Sequence, residues 1–314
     1  MKLPLLLSLI LSAPLALYGW GEKGHRAVGD AAYEMLTPKA KTAVDQIRGQ
    51  ESLADLAVWP DEIKPPFGRK HNTAPAKEFN AAHKDNRAWH FVNLPLGTQS
   101  IPTDRRLAPT NSIIEMLKVS IDVLRGRSSA MSKREALCWL AHLTGDIHQP
   151  LHVGCGYYVF DVENDNRPIL VRDPQAVIPG RHDSGGNAIN LPGTSNFHSF
   201  WDTEMVDYVE QPQGAKVKDV ILKRLSSAKF LRTRGAVENW SRIWALESVA
   251  AAGVAYADIE FETGAVTPNS GNLKIEAGWK SSEPAYKQAH ATLALDQLSK
   301  GAFRLADVLN VIFR

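Results

Sequence analysis

The sequence predicts an all-α protein, a single compact helical domain with long loops. Apolar residues recur at the three- and four-residue spacing of amphipathic helices along most of the 314 residues. The alternation of apolar and polar residues that is typical of strands is scarce, and only "YYVFDVE" at 157–163 could form a short hairpin strand. Neither an internal repeat nor a linker is apparent, so we expect residues 20–314 to form one domain.

The start of the chain has the layout of a secretory signal peptide. Residues 1–19 read "MKLPLLLSLILSAPLALYG", with one early lysine, an apolar run and a small final residue. The run is shorter than the ~20 apolar residues of a transmembrane helix, and prolines interrupt it. We therefore expect cleavage after Gly19 and a secreted or periplasmic protein that begins at Trp20. Retention as a membrane anchor is the less favoured alternative.

Caps and breakers place the predicted helices. Thr37 before Pro38 indicates a helix start, Ser52 with Asp55 resembles a capping box, and Pro150 is expected to end a helix. The helical stretches are, in order, "HRAVGDAAYEML", "TPKAKTAVDQI", "SLADLAVW", "NSIIEMLKVSIDVLRG", "SKREALCWLAHLTGDIHQ", "NFHSFWDTEMVDYV", "AVENWSRIWALESVAAAGVAYADI" and "PAYKQAHATLALDQLSKGAFRLADVLNVI". Residues 156–195 predict a long loop, and long loops in compact domains are usually functional or disordered.

Composition excludes one way of binding nucleic acid. The 36 basic and 34 acidic residues leave a net charge of +2, so there is no broad cationic surface to bind nucleic acid by counterion release. An anionic ligand would need a local site. Cys138 and Cys155 fit no zinc ribbon or redox pair. In an exported protein they could form a disulfide or remain two buried thiols, and both alternatives stay open.

Two His–Asp pairs carry the first signal of chemistry. In "HLTGDIHQPLH", His142 and Asp146 are four residues apart, which places both on one helix face within reach of a single ion. Pro150 then turns His152 into a new direction. A surface hydrogen bond could explain one such pair. However, His198 and Asp202 in "HSFWD" repeat the spacing, and two pairs are harder to dismiss.

Further residues of the same chemical types extend these pairs. Asp61 in "WPDEIK" follows a proline at a predicted helix end, and His90 in "WHFVNLP" precedes a turn. Zinc and similar ions favour histidine nitrogen and carboxylate oxygen. The candidates exceed what one ion needs and suit two or three ions that share a bridging carboxylate. They are His25, His90, His142, His152, His198, Asp61, Asp146 and Asp202.

The order of these motifs resembles the zinc-dependent single-strand-specific nucleases, the S1/P1 nuclease family. These are secreted enzymes of fungi, plants and bacteria, related more distantly to the zinc phospholipases C. The matching motifs run from Trp20 to Asp202 and are WxxxxH, WxDxxK, WHF, HxxGDxHQPLH, GGN and HxxWD. The C-terminal third carries no motif that we can name. The resemblance implies an all-α, phospholipase C/P1 nuclease-like fold with three zinc ions in a cleft.

The resemblance also implies which residues bind each ion. Asp146 would bridge the first two zinc ions, and Trp20 would bind through its free α-amino nitrogen and its carbonyl oxygen. The implied ligands are Asp61, His90, His142 and Asp146 for the first ion, Trp20, His25 and Asp146 for the second, and His152, His198 and Asp202 for the third.

The implied activity is phosphodiester hydrolysis. Members of this family cleave single-stranded DNA and RNA to 5′-phosphorylated products and also act on 3′-nucleotides. A zinc-bound hydroxide would attack phosphorus, so no side-chain nucleophile is required. Asp61 and Asp146 would act as metal-binding catalytic residues, and Lys64 would orient Asp61 or the phosphate. No membrane anchor and no obligatory protein partner are expected.

Substrate contacts are implied for Phe91, Asn93 and Asn187. Phe91 follows ligand His90 and would stack on an unpaired base, which explains a preference for single strands; the alternative is a core phenylalanine. Asn93 offers both a hydrogen-bond donor and an acceptor, so the base preference of relatives with an aspartate there cannot be carried over. Asn187 in "GGN" would lie near the scissile phosphate, or would simply stabilise a turn.

Several residues are expected to have other roles. His148 should face away from the pair on its helix and act in a second layer or as a cap. Solvated positions are expected for His71, His83 and His182, a surface or core position for His290, and core positions for Trp139, Trp240 and Trp244.

Two alternative functions remain. A phospholipase C-like lipid phosphodiesterase would share the metal chemistry, but its substrate site would need an apolar rim. A non-catalytic zinc-binding helical protein would be expected to have closed, cysteine-rich sites. Phe91 and the "GGN" motif favour the nuclease.

Overall fold

Helices dominate the structure, a computed structural model that describes residues 20–164, 166–210, 214–266 and 273–314. The predicted signal peptide lies outside these residues. The mostly helical fold class is thereby confirmed. The α-helices are α1 (Gly21–Glu34), α2 (Pro38–Arg48), α3 (Leu53–Glu62), α4 (Ala74–Ala82), α5 (Ile113–Leu124), α6 (Lys133–Asp146), α7 (Phe197–Ser199), α8 (Met205–Glu210), α9 (Val217–Ser227), α10 (Trp240–Ala257) and α11 (Glu283–Ile312).

Shorter helical segments connect several of these elements. A π-helical turn at Phe200–Glu204 joins α7 to α8, so the predicted helix over "NFHSFWDTEMVDYV" is continuous but locally widened, with hydrogen bonds of the i→i+5 type. Single 3₁₀ turns occur at Asn86–His90, Pro150–His152 and Val237–Asn239.

The sequence-predicted caps are present, and one predicted boundary is wrong. The Ser52 hydroxyl accepts a hydrogen bond from the Asp55 amide while the Asp55 carboxylate accepts one from the Ser52 amide, which completes a capping box. Helix α6 ends at Asp146 instead of reaching Pro150, which begins a separate 3₁₀ turn. Asp146 therefore occupies the C-terminal end of α6.

The strands form small sheets. They are β1 (Leu94–Pro95), β2 (Gly154–Cys155), β3 (Tyr158–Asp161), β4 (Arg167–Leu170), β5 (Ile189–Asn190), β6 (Ile259–Val266) and β7 (Leu273–Trp279). Strands β1 and β2 pair in parallel, and β3 and β4 form the hairpin predicted from "YYVFDVE". The antiparallel β6–β7 hairpin, with β5 parallel to β7, was not predicted, although β7 carries a period-two pattern.

Helix α6 lies at the centre of the packing. It contacts α1, α2, α3, α5 and α11, and all of its residues from Ala136 to Asp146 are buried. One hydrophobic cluster extends from α1 to α11, and it contains Trp139, Trp240 and Trp244 as expected. A helix that is buried on all sides carries its polar side chains into the interior. Within the described residues, none of the helices has the length and apolar character needed to cross a membrane.

The cysteines do not form a disulfide. Cys138 lies on α6 and Cys155 on β2, and both thiols are free and buried. The Cys155 thiol donates a hydrogen bond to Asp183 Oδ1 at 3.2 Å, and burial raises the pKa of both thiols. Of the two alternatives that the sequence left open, the structure has the two buried thiols and not the disulfide.

Candidate metal centre

The predicted metal-binding side chains from distant parts of the chain meet in the interior, and none of the eight is more than 5% exposed. Helices α1, α3 and α6 contribute from one side, and the 3₁₀ turns and the π turn contribute from the other. The residues are His25 on α1, Asp61 on α3, His90 and His152 on 3₁₀ turns, His142 and Asp146 on α6, His198 on α7 and Asp202 in the π turn.

Asp146 is the centre of this cluster. Its Oδ1 atom lies 3.1 Å from His25 Nε2 and 3.6 Å from His152 Nδ1. Its Oδ2 atom lies 3.0 Å from His142 Nε2 and 3.2 Å from His90 Nδ1. The two carboxylate oxygens thus face different histidines, which is the arrangement that a bridging carboxylate needs.

Asp61 lies at the edge of the same cluster. Its Oδ1 atom is 3.8 Å from both His90 Nδ1 and His142 Nε2, and 3.4 Å from Lys64 Nζ. Burial raises the pKa of Asp61, but the Lys64, His142 and His90 charges outweigh it and lower that pKa overall. The contact is the one expected if Lys64 orients this carboxylate.

A second cluster forms around the other His–Asp pair. His198 Nε2 lies 3.1 Å from His152 Nε2 and 3.4 Å from Asp202 Oδ2. Gln149 Nε2 donates a hydrogen bond to Asp202 Oδ1 at 2.7 Å, a contact that sequence reasoning missed. The set of His152, His198 and Asp202 is the one that the family resemblance assigns to the third ion, and its potential ligand atoms lie within 4.8 Å of one another.

Two further groups also have their potential ligand atoms within 4.8 Å of one another, and both contain His142. One joins His142 to His25 and Asp61, and the other joins it to His90 and Asp146. The structure therefore brings together every side chain that the resemblance assigns to the first two ions. The two groups differ from the implied ligand sets, because His142 occurs in both groups and Asp146 in one.

The hydrogen bonds of three histidines fit metal binding. Each uses Nδ1 on a backbone carbonyl, which can only accept, so Nδ1 carries the proton and the Nε2 lone pair remains for a metal. These contacts are His142 to Ala57 O at 2.8 Å, His152 to His90 O at 2.8 Å and His198 to Gly185 O at 2.7 Å. Burial lowers the pKa of His90 and of His198 to about 3, which favours the neutral form that binds metals.

Buried polar atoms without hydrogen bonds also indicate a metal centre. Among the described residues, His90 Nε2 is buried without a hydrogen-bond partner, and His25 Nε2 and Asp146 Oδ1 are buried 3.1 Å apart without the geometry of a hydrogen bond. Each such atom costs about 1–3 kcal/mol if nothing compensates it. Nitrogen and carboxylate donors in this number are what zinc-type ions require, so the residues fit a metal centre.

Two glycines permit the close approach of these elements. A Cβ atom on Gly145 would lie 2.8 Å from His25 Nδ1, so α1 could not pack against α6 as it does. Gly185 has φ +63°, and a Cβ atom there would lie 2.1 Å from Leu151 O. The glycines of "TGD" and "GGN" are therefore needed to position His25 and His198.

The residues predicted to contact substrate follow two of the metal-binding segments in the chain, Phe91 and Asn93 after His90 and Asn187 in the loop before His198. Phe91 is 40% exposed, in contrast to the buried core aromatics, and it lines one pocket together with Asn93. Asn187 Nδ2 donates to Ser184 O at 2.7 Å, which is the turn contact, while its Oδ1 is buried without a partner among the described residues. Their roles towards a substrate stay predictions.

Trp20 lies at the N-terminus of α1, five residues before His25, and is fully buried. Its carbonyl oxygen accepts a hydrogen bond from the Gly24 amide at 3.1 Å. The role of Trp20 as a metal ligand also stays a prediction.

The remaining histidines lie outside the cluster. His148 faces away from it, as expected, and its Nε2 lies 2.9 Å from Arg304 Nη1. His290 is buried and contacts Asp258 Oδ2 at 3.0 Å, which confirms the core alternative. Solvated positions were expected for His71, His83 and His182, but the three side chains are half-buried because they pack against neighbouring turns and aromatic rings.

Sequence reasoning also missed Asp183. This fully buried carboxylate accepts hydrogen bonds from the hydroxyls of Tyr158 at 2.8 Å and Tyr256 at 3.0 Å, besides the Cys155 thiol. It fixes the loop in which Gly185 O binds His198. Its position two residues before "GGN" was the only available signal.

Comparison with known proteins agrees with this site. The family model for S1/P1 Nuclease matches residues 20–314. Nuclease S1 from Aspergillus oryzae is 23% identical over 96% of both chains, and Endonuclease 2 from Arabidopsis thaliana is 23% identical over 97% of this chain and 94% of its own. Nuclease P1 from Penicillium citrinum is 26% identical over 59% of this chain and 58% of its own.

The fold, the His/Asp centre and these similarities define a metal-dependent phosphodiesterase, a hydrolase that acts on nucleic acids. The chain belongs to the S1/P1 nuclease family.

Proposed function

We propose that this protein is a secreted zinc-dependent endonuclease that hydrolyses single-stranded DNA and RNA to 5′-phosphorylated products and also acts on 3′-nucleotides. One observation carries the proposal: the buried His/Asp centre around Asp146 includes His90, and the residue that directly follows His90, Phe91, is an exposed aromatic. A metal centre supplies the chemistry and a stacking surface supplies the preference for unpaired bases.

Three zinc ions would be held by the three sets of ligands named above. When bound, they would polarise the phosphate oxygens and make water a competent nucleophile near neutral pH. Side chains of the protein would position the ions and the scissile phosphate. Asp146 would hold the first two sets together, Lys64 would orient Asp61, and Asn187 would contact the scissile phosphate.

Phe91 would select single strands. Stacking on an aromatic ring requires an unpaired base but tolerates any base identity. Its exposure and its place in a pocket with Asn93 support this role.

The proposal includes export and cleavage after Gly19. The free amine of Trp20 would then complete the set that contains His25. A chain with extra residues before Trp20 should bind one zinc ion fewer than the chain that begins at Trp20, and equal zinc contents would contradict this assignment.

The decisive experiment combines metal analysis with a substrate panel. The chain that begins at Trp20 should contain zinc and should cleave single-stranded DNA and RNA much faster than duplex DNA. Phe91→Ala should raise KM by the equivalent of ~1–3 kcal/mol of stacking while its zinc content stays the same. Equal rates on single and double strands would contradict the proposal. Hydrolysis of phosphatidylcholine alone would favour the phospholipase alternative, and a zinc-loaded protein without hydrolase activity would favour the non-catalytic one.

A further inference from the structure

We propose that the N-terminus of α5 forms a second phosphate-binding site, built from Ser112, Arg105 and Arg242. It would bind the 5′-phosphate of the nucleotide whose base stacks on Phe91. The inference rests on the proposed function, because it presumes that Phe91 receives a base.

Two pockets meet at the N-terminus of α5. The first contains Phe91 and Asn93, and the second contains Arg105 and Arg242. Pro109 and Ser112 line both pockets. The backbone connects them as well, since the first amide of α5, at Ile113, donates a hydrogen bond to Phe91 O at 3.2 Å. A ligand that occupies the Phe91 pocket therefore has the start of α5 as its neighbour.

The start of α5 is suited to an anion. The helix spans 12 residues, and the N-terminus of a helix carries partial positive charge. The Ile113 amide is bonded to Phe91 O and the Glu115 amide to Ser112 O, so within the described chain the first-turn amide available to a ligand is that of Ile114, which lines the second pocket. Anion binding at such a position becomes specific only when side chains contribute.

Ser112 supplies the first of these side chains. It is the N-cap residue of α5 and is only 3% exposed. An N-cap serine usually accepts a hydrogen bond from an amide of the first turn, but the Ser112 side chain makes no such bond. Within the described chain its hydroxyl has no other hydrogen-bond partner, although it lines both pockets. A hydroxyl in this position can donate to a phosphate oxygen.

The arginines supply the charge. Arg105 and Arg242 line the second pocket and are exposed, so they are accessible to a ligand. Glu115 is the acidic residue in the same lining, and it lies 3.7 Å from Arg242 Nη1. The lining therefore keeps a net positive charge. Guanidinium groups suit phosphate because they donate two parallel hydrogen bonds.

The direction of the strand identifies which phosphate binds here. In a 3′-nucleotide the stacked base and the hydrolysed phosphate belong to the same nucleoside. A longer strand can continue from that nucleoside only through its 5′-oxygen. The next phosphate is therefore the 5′-phosphate, and the pocket that adjoins Phe91 is the one at Ser112.

The test compares adenosine 3′-phosphate with adenosine 3′,5′-bisphosphate as substrates of the metal-loaded enzyme. We expect a KM about tenfold lower for the bisphosphate with similar kcat, the size of effect that a hydrogen bond to a charged group produces. Ser112→Ala, Arg105→Gln and Arg242→Gln should each reduce this preference without changing the hydrolysis of adenosine 3′-phosphate. Ser112→Ala removes no capping bond, so its melting temperature should stay close to that of the wild type.

Arg127→Gln is the matched control. Arg127 lies just beyond the opposite end of α5 and pairs with Glu238, so its replacement removes the same charge far from Ser112. Equal KM values for the two substrates, a preference that survives all three substitutions, or an equal loss in Arg127→Gln would overturn the proposed site. If neither substrate nor single-stranded DNA were hydrolysed, the proposed function itself would fail.

Discussion

The two His–Asp pairs have the same sequence spacing but different surroundings. His142 and Asp146 lie at the end of a regular helix, 3.0 Å apart, whereas Asp202 lies within a π turn that follows His198, and the two are 3.4 Å apart. Asp146 faces four histidines, while Asp202 faces one histidine and the Gln149 amide. Sequence spacing thus identifies a ligand pair, but tertiary neighbours decide whether its carboxylate can bridge two ions.

The electrostatics of the two carboxylates also differ. Burial raises the pKa of both. For Asp146 the charges of His142 and His152 outweigh burial, and the pKa falls well below its ordinary value. For Asp202 burial prevails, and the pKa rises well above its ordinary value. Asp146 is therefore stabilised as a carboxylate by the protein alone, whereas Asp202 needs a cation to favour ionisation.

The largest expected effect tests the bridging role. Asp146→Asn should remove the contact that joins the first two ligand sets, because a neutral amide cannot bridge two cations. We expect the loss of two zinc ions and a decrease of kcat/KM of more than ~100-fold, beyond the 10–100-fold typical of second-layer changes. Zinc content by mass spectrometry and rates on single-stranded DNA measure this. Asp207→Asn is the matched control, because Asp207 is only partly buried and pairs with Lys23 rather than with a histidine. A wild-type rate in Asp146→Asn would refute the bridge.

A smaller effect is expected for the second pair. Asp202→Asn should release one zinc ion, because the family resemblance assigns Asp202 to the third ion alone and its carboxylate faces one histidine rather than four. Two ions would remain, and kcat/KM should fall by about 10–100-fold. The same zinc analysis and rate assay apply. If Asp202→Asn lost as many zinc ions as Asp146→Asn, the proposed difference between a bridging and a non-bridging carboxylate would be contradicted.

In metal-free protein, replacing the two aspartates by asparagine should change the free energy of unfolding in opposite directions. The lowered pKa of Asp146 contributes stability above the unfolded pKa, and this is lost as pH falls through the folded value. The raised pKa of Asp202 contributes stability only at low pH, and this is lost as pH rises through the folded value. At pH 7 with chelator, Asp146→Asn should lower the unfolding free energy and Asp202→Asn should raise it.

Urea unfolding measures both changes, each expected within the ~0.5–3 kcal/mol range of single substitutions. The gain in Asp202→Asn should shrink as pH falls towards ordinary carboxyl pKa values. Changes of the same sign in both variants at pH 7 would contradict the contrast between the two carboxylates.

The contrast between the pairs also explains what the sequence could predict. Helix periodicity and caps such as Ser52 are local, so most helices and their starts were predictable. The ligand types were predictable because two His–Asp pairs share one spacing. Gln149 and Asp183 were missed, since their roles depend on Asp202 and on tyrosines far along the chain. The β6–β7 hairpin was missed because the helical pattern of α10 runs up to the first strand.

The smallest expected effect concerns the cysteines, one of which lies beside each pair. Cys138 is one helical turn before His142 on α6, and Cys155 Sγ accepts a hydrogen bond from the amide of Gly185, whose carbonyl binds His198. A disulfide would tie the two regions together, but buried thiols of raised pKa are unreactive and leave them independent. A reducing agent should therefore change neither the melting temperature nor kcat/KM, and both thiols should titrate after unfolding without reductant. Fewer than two titratable thiols in the unfolded protein would show that a bond joins the regions, and the two pairs could then no longer be treated as separate units.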